Sequence, residues 1–342
     1  MRVTISDVAA RAGVSTATVS YVLNHSNRVS EETKRRVLEA VRELGYQPNA
    51  LARGLVKDQT MNIGLVIPHT AEYVFSDPFF SELLKGVGTV VTRHGYFLLL
   101  SLLTETSDFT SVISALVSQR RVDGIIIVST PREGREIAEL KKGGIPFTVI
   151  GPNLMPDVSS IDVDNEEGSY MATRHIIELG HTRIGYITGD MRYDSAVQRY
   201  RGFQKALEDA KLEAVGVFMG DFTQASGVLG ARQLLKDQNN PVTAIVCASD
   251  LMAHAVLKEA KQLGYSIPED LSVIGFDDIP MSQECQPRLT TIRQPITVMG
   301  RLASEQLISQ IQDKMKSSQP VKQVVKTELV VRDSTAIPRD LA

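Results

Sequence analysis

Apolar positions along the chain change their period at about residue 60. Before it they recur at helical spacing in short stretches, beginning with TISDVAARAGVSTATVSYVLN at 4–24. Thr4 is placed to cap a first helix, because its hydroxyl can accept the Asp7 N–H while the Asp7 carboxylate suits the positive helix start. Gly13 can adopt the left-handed conformation that ends this helix, and Ser15 can then cap a second running to about Asn24. Val19, Val22 and Leu23 fall on the side that can meet Val8 and Val14. Thr16, Ala17, Ser20, Tyr21 and Asn24 form the opposite stripe. Ser30 precedes EETKRRVLEAVRELGY, in which Val37, Val41 and Leu44 close a three-helix core and Gly45 supplies the stop. Residues 1–46 are therefore expected to fold as a small helical domain. A small, polar stripe at a helix start fits a DNA major groove, although taken alone it fits an ordinary surface face better.

From Asn62 onward, short apolar runs alternate with helical patterns. The runs are NIGLVIP (62–68), YFLLLS (96–101), GIIIVS (124–129), IPFTVIG (145–151), RIGYITG (183–189), AIVCAS (244–249) and SVIGFDD (272–278). Such runs suit strands buried on both faces, and segments such as FFSELLKGVGTVVTRHG between them suit crossover helices. A doubly wound α/β architecture follows, with enough strands for two parallel sheets on either side of about residue 162. Ligands in such sheets sit beyond the carboxyl ends of the strands, which places a cleft between two lobes.

Length and charge refine the picture. At 342 residues the chain is long enough for two or three domains with large cores. Residues 1–57 hold nine Lys/Arg against five Asp/Glu, a net of +4, so the remainder carries −7 of the whole-chain −3. A basic end on an acidic chain suits a polyanion partner. No apolar run approaches the roughly 20 residues of a membrane span, and no signal peptide opens the chain, so a cytoplasmic protein is expected. Cys247 and Cys285 lack metal-ligand spacing and are expected as buried thiols, with no metal or cofactor.

Enzyme signatures are missing. GVG at 86–88 begins like a dinucleotide fingerprint, but Val91 stands where the third glycine belongs and the segment lies inside a helix pattern. No Walker A loop, GxSxG elbow or HExxH pair occurs.

Taken in order, TISDVAARAGVSTATVSYVLN, VSEETKRRVLEAVRELGYQPNALARGL, RYRGF (199–203), SVIGFDD and LTTIRQP (289–295) resemble the lactose-repressor family of bacterial, nucleoid-associated transcription regulators. The resemblance covers essentially the whole chain. It implies a helix-turn-helix headpiece at 1–46, a hinge helix and linker at 47–60, and a periplasmic-binding-protein-like effector and dimerisation core at 61–342. The N-lobe is expected at about 61–161 and 291–323 and the C-lobe at about 162–290 and 324–342.

The resemblance assigns roles residue by residue. The second helix lies in the major groove, with Thr16, Ala17 and Tyr21 at base-reading positions. Ser15, Thr18, Ser20 and Asn24 suit phosphates, and Thr4 belongs to the same DNA-facing set. In the hinge, Gly54 weakens a helix by about 1 kcal/mol relative to alanine, so the segment should fold only with DNA and a second subunit present. Leu55 matches the leucine that wedges between bases, Leu51 faces its dimer mate, and Arg53 lies along phosphates.

In the core, Arg199 matches the inward-facing arginine of the effector cleft and Asp277 its acceptor, while Phe222 and Phe79 match apolar wall positions. Asp164 and Asp250 are further effector candidates. Each also has a plain structural reading: a salt bridge for Arg199, a turn cap for Asp277, core packing for Phe222. Ser249 and Gly151 depart from the family pattern, where asparagine and an acidic residue are frequent. The implied protein is a dimer on a palindromic operator, a repressor controlled by a small molecule, most simply a sugar. A phosphoprotein corepressor is the family's other mode of control. The chain also stops without the leucine-rich helix that makes some relatives tetramers, which favours a dimer.

Overall fold

The computed structural model describes residues 3–23, 29–46, 59–104, 108–128, 135–153, 155–236, 241–312 and 319–339. Asn24, Leu51, Arg53, Leu55 and the hinge at 47–58 lie outside the described residues. The chain divides into two compact units, Met1–Thr60 and Met61–Ala342.

The first unit contains α1 (Ile5–Ala12), α2 (Thr16–Leu23) and α3 (Glu31–Leu44). Its helix ends follow the capping chemistry of the sequence. Thr4 Oγ1 accepts the Asp7 N–H at 3.4 Å, and the Asp7 carboxylate accepts the Thr4 N–H at 2.8 Å, closing a capping box. Ser15 Oγ accepts the Thr18 N–H at 3.1 Å, and Ser30 Oγ the Thr33 N–H at 3.4 Å. Gly13 and Gly45 end α1 and α3 at φ 65° and 61°. Arg36 on α3 donates to the carbonyls of Ala12 and Gly13, at 2.5 and 3.2 Å, and so ties the turn to the third helix. Val8, Ala12, Val19, Val22, Val37 and Ala40 are buried together, with Val14, Leu23, Val41 and Leu44 packed around them.

The second unit holds two six-stranded sheets. The first comprises β1 (Asn62–Thr70), β2 (Phe97–Leu103), β3 (Gly124–Val128), β4 (Phe147–Ile150), β5 (Ser160–Val163) and β11 (Lys322–Val325), in the order β11-β5-β4-β3-β1-β2. The second comprises β6 (Ile184–Ile187), β7 (Gly216–Phe218), β8 (Ala244–Cys247), β9 (Ser272–Asp277), β10 (Thr290–Arg293) and β12 (Glu328–Val330), in the order β12-β10-β9-β8-β6-β7. Pairing is parallel throughout, with Ile63 opposite Gly124 and Thr290 opposite Ile274, except that β12 runs antiparallel to β10. The helices of this unit are α4 (Ala71–Ser76), α5 (Pro78–Arg93), α6 (Phe109–Ser118), α7 (Arg135–Gly143), α8 (Asn165–Glu178), α9 (Asp194–Asp209), α10 (Gln224–Leu234), α11 (Asp250–Gln262), α12 (Met281–Glu284) and α13 (Ile296–Gln312).

Each sheet has its own core. Ile63, Leu65, Ile67, Leu83, Val87 and Leu307 are fully buried in the first lobe; Ile184, Tyr186, Phe203, Ile274 and Phe276 are buried in the second. Gly86, part of the apparent dinucleotide fingerprint, serves packing instead: a Cβ there would lie 2.1 Å from the Thr297 carbonyl oxygen. Gly300 on α13 answers it against the Leu83 carbonyl, so α5 and α13 cross nearly backbone to backbone.

Sheet membership marks where the chain passes from one lobe to the other. β5 belongs to the first sheet through Val163, β10 to the second through Arg293, and β11 to the first through Val325. The chain therefore crosses between lobes just after these three residues.

Candidate functional site

Two arrays of side chains matter, one in each unit. In the helical unit, Thr4, Ser15, Thr16, Ala17 and Tyr21 are exposed, and Thr18 and Ser20 are half-buried. Tyr21 keeps 45% of its surface although it is a large aromatic. Because Val19 and Val22 point into the core, the opposite side of α2 carries small hydroxyl and methyl groups at its amino-terminal end and the Tyr21 phenol further along. Ser15 and Thr18 are also engaged with each other, Oγ to Oγ1 at 2.9 Å, which fixes the first turn of the helix.

In the core, a small cavity of about 70 Å³ lies between the lobes, lined from the first lobe by His69, Tyr73, Asp77, Phe79 and Phe80. Tyr193, Ser195, Arg199, Phe222, Ser249 and Asp277 line it from the second, and Gln294 lines it at a crossing segment.

Arg199 enters from α9 and is almost fully buried. Its Nε donates to Asn165 Oδ1 at 2.8 Å, and its Nη1 donates to the Ala248 carbonyl at 2.6 Å and to Asp277 Oδ1 at 3.4 Å. The guanidinium carbon stands 3.7 Å from the Phe276 ring centroid and 5.9 Å from that of Phe222, so the cation has aromatic surface on its flat faces. Asp277 also accepts from Gln294 Nε2 at 2.5 Å. Burial pushes the Asp277 carboxyl well above the usual carboxylate range, with Arg199 opposing and the acids Asp250 and Asp77 reinforcing the rise.

The first lobe supplies the apolar wall. His69 at the end of β1 stacks on Tyr73 of α4, centroids 4.3 Å apart, and lies 5.3 Å from Tyr193 of the other lobe. Phe79 meets Phe80 edge to face at 5.3 Å. Burial lowers the His69 pKa to about 4, so its ring is neutral at neutral pH. Phe222 takes a left-handed φ of 70°, and its ring covers Gly189, where any Cβ would collide with it.

Four of the six effector candidates, Phe79, Arg199, Phe222 and Asp277, line this cavity. The other two do not. Asp164 caps α8 by accepting the Glu167 N–H at 2.9 Å and lies in an exposed depression with Glu166, Glu167 and Tyr170; its neighbour Asn165 is the residue turned inward, toward Arg199. Asp250 is sealed below the cleft, where it accepts from Thr291 Oγ1, Ser282 Oγ and the Ile279 N–H. Its place at the cavity is taken by Ser249, the N-cap of α11. His69, Tyr73, Asp77, Tyr193, Asn165 and Gln294 complete the site. Two of these had a signal in the sequence: Gln294 lies within LTTIRQP, and Asp77 precedes Pro78 at a helix start. Among the described residues no group of His, Cys, Asp or Glu is arranged to hold a metal, and no helix is long and apolar enough to cross a membrane. Cys247 is buried, whereas Cys285 is only half-buried.

Residues 4–49 match the model of bacterial regulatory proteins of the lacI family, and residues 173–335 that of a periplasmic binding protein-like domain. The HTH-type transcriptional repressor PurR of Aliivibrio salmonicida is 37% identical over 316 residues, 91% of this chain and 93% of that protein. The HTH-type transcriptional regulator CelR of Thermobifida fusca is 36% identical over 97% of this chain and 98% of its own length. Among solved structures, a CelR–cellobiose complex shares 33% identity over 97% of this chain and all of that chain, with a TM-score of 0.75. A lac repressor dimer bound to operator and the anti-inducer ONPF shares 27% identity over 98% of this chain and all of that chain, with a TM-score of 0.87. The chain belongs to the lacI family and is a DNA-binding transcriptional regulator built from a helix-turn-helix headpiece and a two-lobed α/β core.

Proposed function

We propose that the protein represses transcription by binding a palindromic operator as a homodimer, and that a carbohydrate in the interlobe cavity controls this binding. The observation that carries the effector half is the buried Arg199–Asp277 pair set among aromatic rings. A sugar needs donors and acceptors for each buried hydroxyl and a flat apolar surface for its ring face, and the cavity offers both. That the CelR structure is a cellobiose complex, and that the lac repressor structure holds ONPF, supports a small-molecule ligand here.

On the DNA side, α2 lies in the major groove. Thr16, Ala17 and Tyr21 contact bases, while Thr4, Ser15, Thr18, Ser20 and Asn24 contact phosphates. In the hinge, Leu55 wedges between bases in the minor groove, Leu51 faces its dimer mate and Arg53 lies along phosphates. Exposed Phe97 and Leu99 on the edge strand β2 give a second copy an apolar strip to cover. Ligand binding changes the angle between lobes and so the spacing of the two hinges, and the headpieces then fit or miss their half-sites.

The test is a thermal-shift screen of the purified protein against sugars, sugar phosphates and nucleosides, followed by mobility shift on selected operator DNA with and without the hit. A ligand that raises the melting temperature and changes operator affinity supports the reading. A protein that binds no selected DNA, or whose operator affinity no cleft ligand changes, overturns the corresponding half.

A further inference from the structure

The cavity holds more buried acid than buried base. Arg199 reaches it with Nη1 already donating to Asp277 Oδ1 at 3.4 Å and to the Ala248 carbonyl at 2.6 Å. Asp77 lines the same space from the first lobe, only 8% exposed, at the N-cap of α5. Its Oδ1 accepts the Phe79 N–H at 2.9 Å, the one hydrogen bond to this carboxylate among the described residues. At the rim, Asp190 is paired with Arg192 at 2.6 Å, and Asp221 accepts from Thr223 Oγ1 at 2.6 Å. The neutral His69 ring adds no compensating charge. Among the described residues Asp77 is thus a buried acceptor that faces the ligand space without a salt bridge, sharing the field of Arg199 with Asp277.

On the reading of the cavity as a carbohydrate site, we propose that Asp77 sets the charge class of the effector: it accepts a hydrogen bond from a hydroxyl of an uncharged sugar and turns away phosphate esters. A hydroxyl both donates and accepts, so one sugar can serve Asp77 and Asp277 as donor and Arg199 as acceptor. A phosphate monoester carries about −1.5 to −2 charges near neutral pH and offers chiefly acceptors. In this cavity it would meet one guanidinium, already paired, and two buried carboxyl groups. Asp77 also starts α5, and asparagine caps helices as well as aspartate does, so Asp77→Asn removes the charge while keeping the cap.

The experiment compares matched pairs on the intact protein by thermal shift and calorimetry: D-glucose with glucose 6-phosphate, D-ribose with ribose 5-phosphate, and cellobiose with cellobiose 6-phosphate. Expected is a concentration-dependent rise in melting temperature for at least one unphosphorylated sugar and none for its phosphate ester. The rise should vanish in Arg199→Ala or, should that variant fail to fold, in Phe79→Ala. Asp77→Asn should weaken the neutral sugar by about tenfold or more, as loss of a charged acceptor does, and narrow the gap between sugar and ester. A phosphate ester that binds as well as its parent sugar and depends on the same cleft residues overturns the proposal but leaves the carbohydrate site standing. Equal affinity of Asp77→Asn and the parent protein for the neutral sugar also overturns it. If no compound of either kind gives a cleft-dependent shift, the carbohydrate reading itself falls, and this assignment with it.

Discussion

Asp277 and Asp278 are adjacent at the end of β9, yet their carboxylates serve different places. Asp277 contacts Arg199 and Gln294 at the cleft, whereas Asp278 binds Arg293 Nε at 2.6 Å and Arg332 Nη2 at 2.5 Å beside the interlobe crossings. Both residues hold positive φ, 127° and 58°, a region that side-chain-bearing residues rarely occupy, and this turns the two side chains apart. The ligand space and the interlobe crossings are joined through one peptide bond. Asp278→Asn leaves Arg332 buried without its anion, so a loss of about 2 kcal/mol or more is expected in chemical denaturation. Operator binding should also respond less to the effector. An unchanged denaturation midpoint together with an unchanged response would show that this pair does not couple the two.

Two substitutions should separate the ends of the molecule. Leu55→Ala is expected to weaken operator binding strongly while cleft-ligand affinity stays nearly unchanged. Arg199→Ala is expected to abolish the effector response while operator affinity without effector is kept. Fluorescence anisotropy with labelled operator and calorimetry with the ligand read both. Equal operator affinity for Leu55→Ala would remove the wedge role, and loss of folding in Arg199→Ala would make that residue structural.

Gly86→Ala tests the α5–α13 crossing. The added Cβ would meet a backbone carbonyl, which cannot rotate away as a side chain can, so the helices must separate. A cost of about 1–3 kcal/mol is expected, of the size seen on overpacking. Gly88→Ala, one position outside the crossing, has open space around its Cβ and should cost less than Gly86→Ala or even stabilise the helix. Urea titrations of the pair would expose an error if Gly88→Ala were the more damaging.

His254 gives a pH test with a defined sign. Burial lowers its pKa to about 4, below the 6.5 of an unperturbed histidine. Between these values the unfolded chain binds the proton and the folded one does not, so His254 withdraws stability as pH falls from about 6.5 to 4. The effect is on the order of 3 kcal/mol at full expression. Asp77 and Asp250, raised by burial to about 6, act with the opposite sign over pH 6 to 4. The contribution is therefore read as a difference: His254→Asn should lose less stability than the parent protein on going from pH 6.5 to 4. Parallel pH profiles would contradict the assignment.

The parts legible in the sequence were those fixed by local chemistry. Thr4, Gly13, Ser15, Ser30 and Gly45 stop and start helices by hydrogen bonds within a few residues, and all five act as their positions imply. GIIIV and AIVC announce strands because both faces are buried. TTIR, KQVV and ELV do not, since β11 and β12 lie at sheet edges with exposed side chains and β10 uses Thr290 and Thr291 for hydrogen bonds to Thr335 and Asp250. The site was legible where the family motif names one residue, as at Arg199 and Asp277. It slipped by one position at DVDN, because the cap residue Asp164 and the inward residue Asn165 differ only in which side of the helix start they face. His69, Tyr73 and Tyr193 become neighbours only when two lobes meet, and no short stretch encodes that.

The three crossings between sheets carry a consequence for how the protein is made. β5, β10 and β11 alternate between the lobes, and β11 and β12, from the final part of the chain, complete one edge of each sheet. A ribosome delivering this chain from its amino terminus therefore releases neither lobe whole until nearly the entire core has emerged. The headpiece can fold as soon as it appears, but the two lobes must wait for each other. The waiting core, with the edges of β5 and β10 uncovered, is the stage at which the nascent protein most needs shielding from association with its own copies.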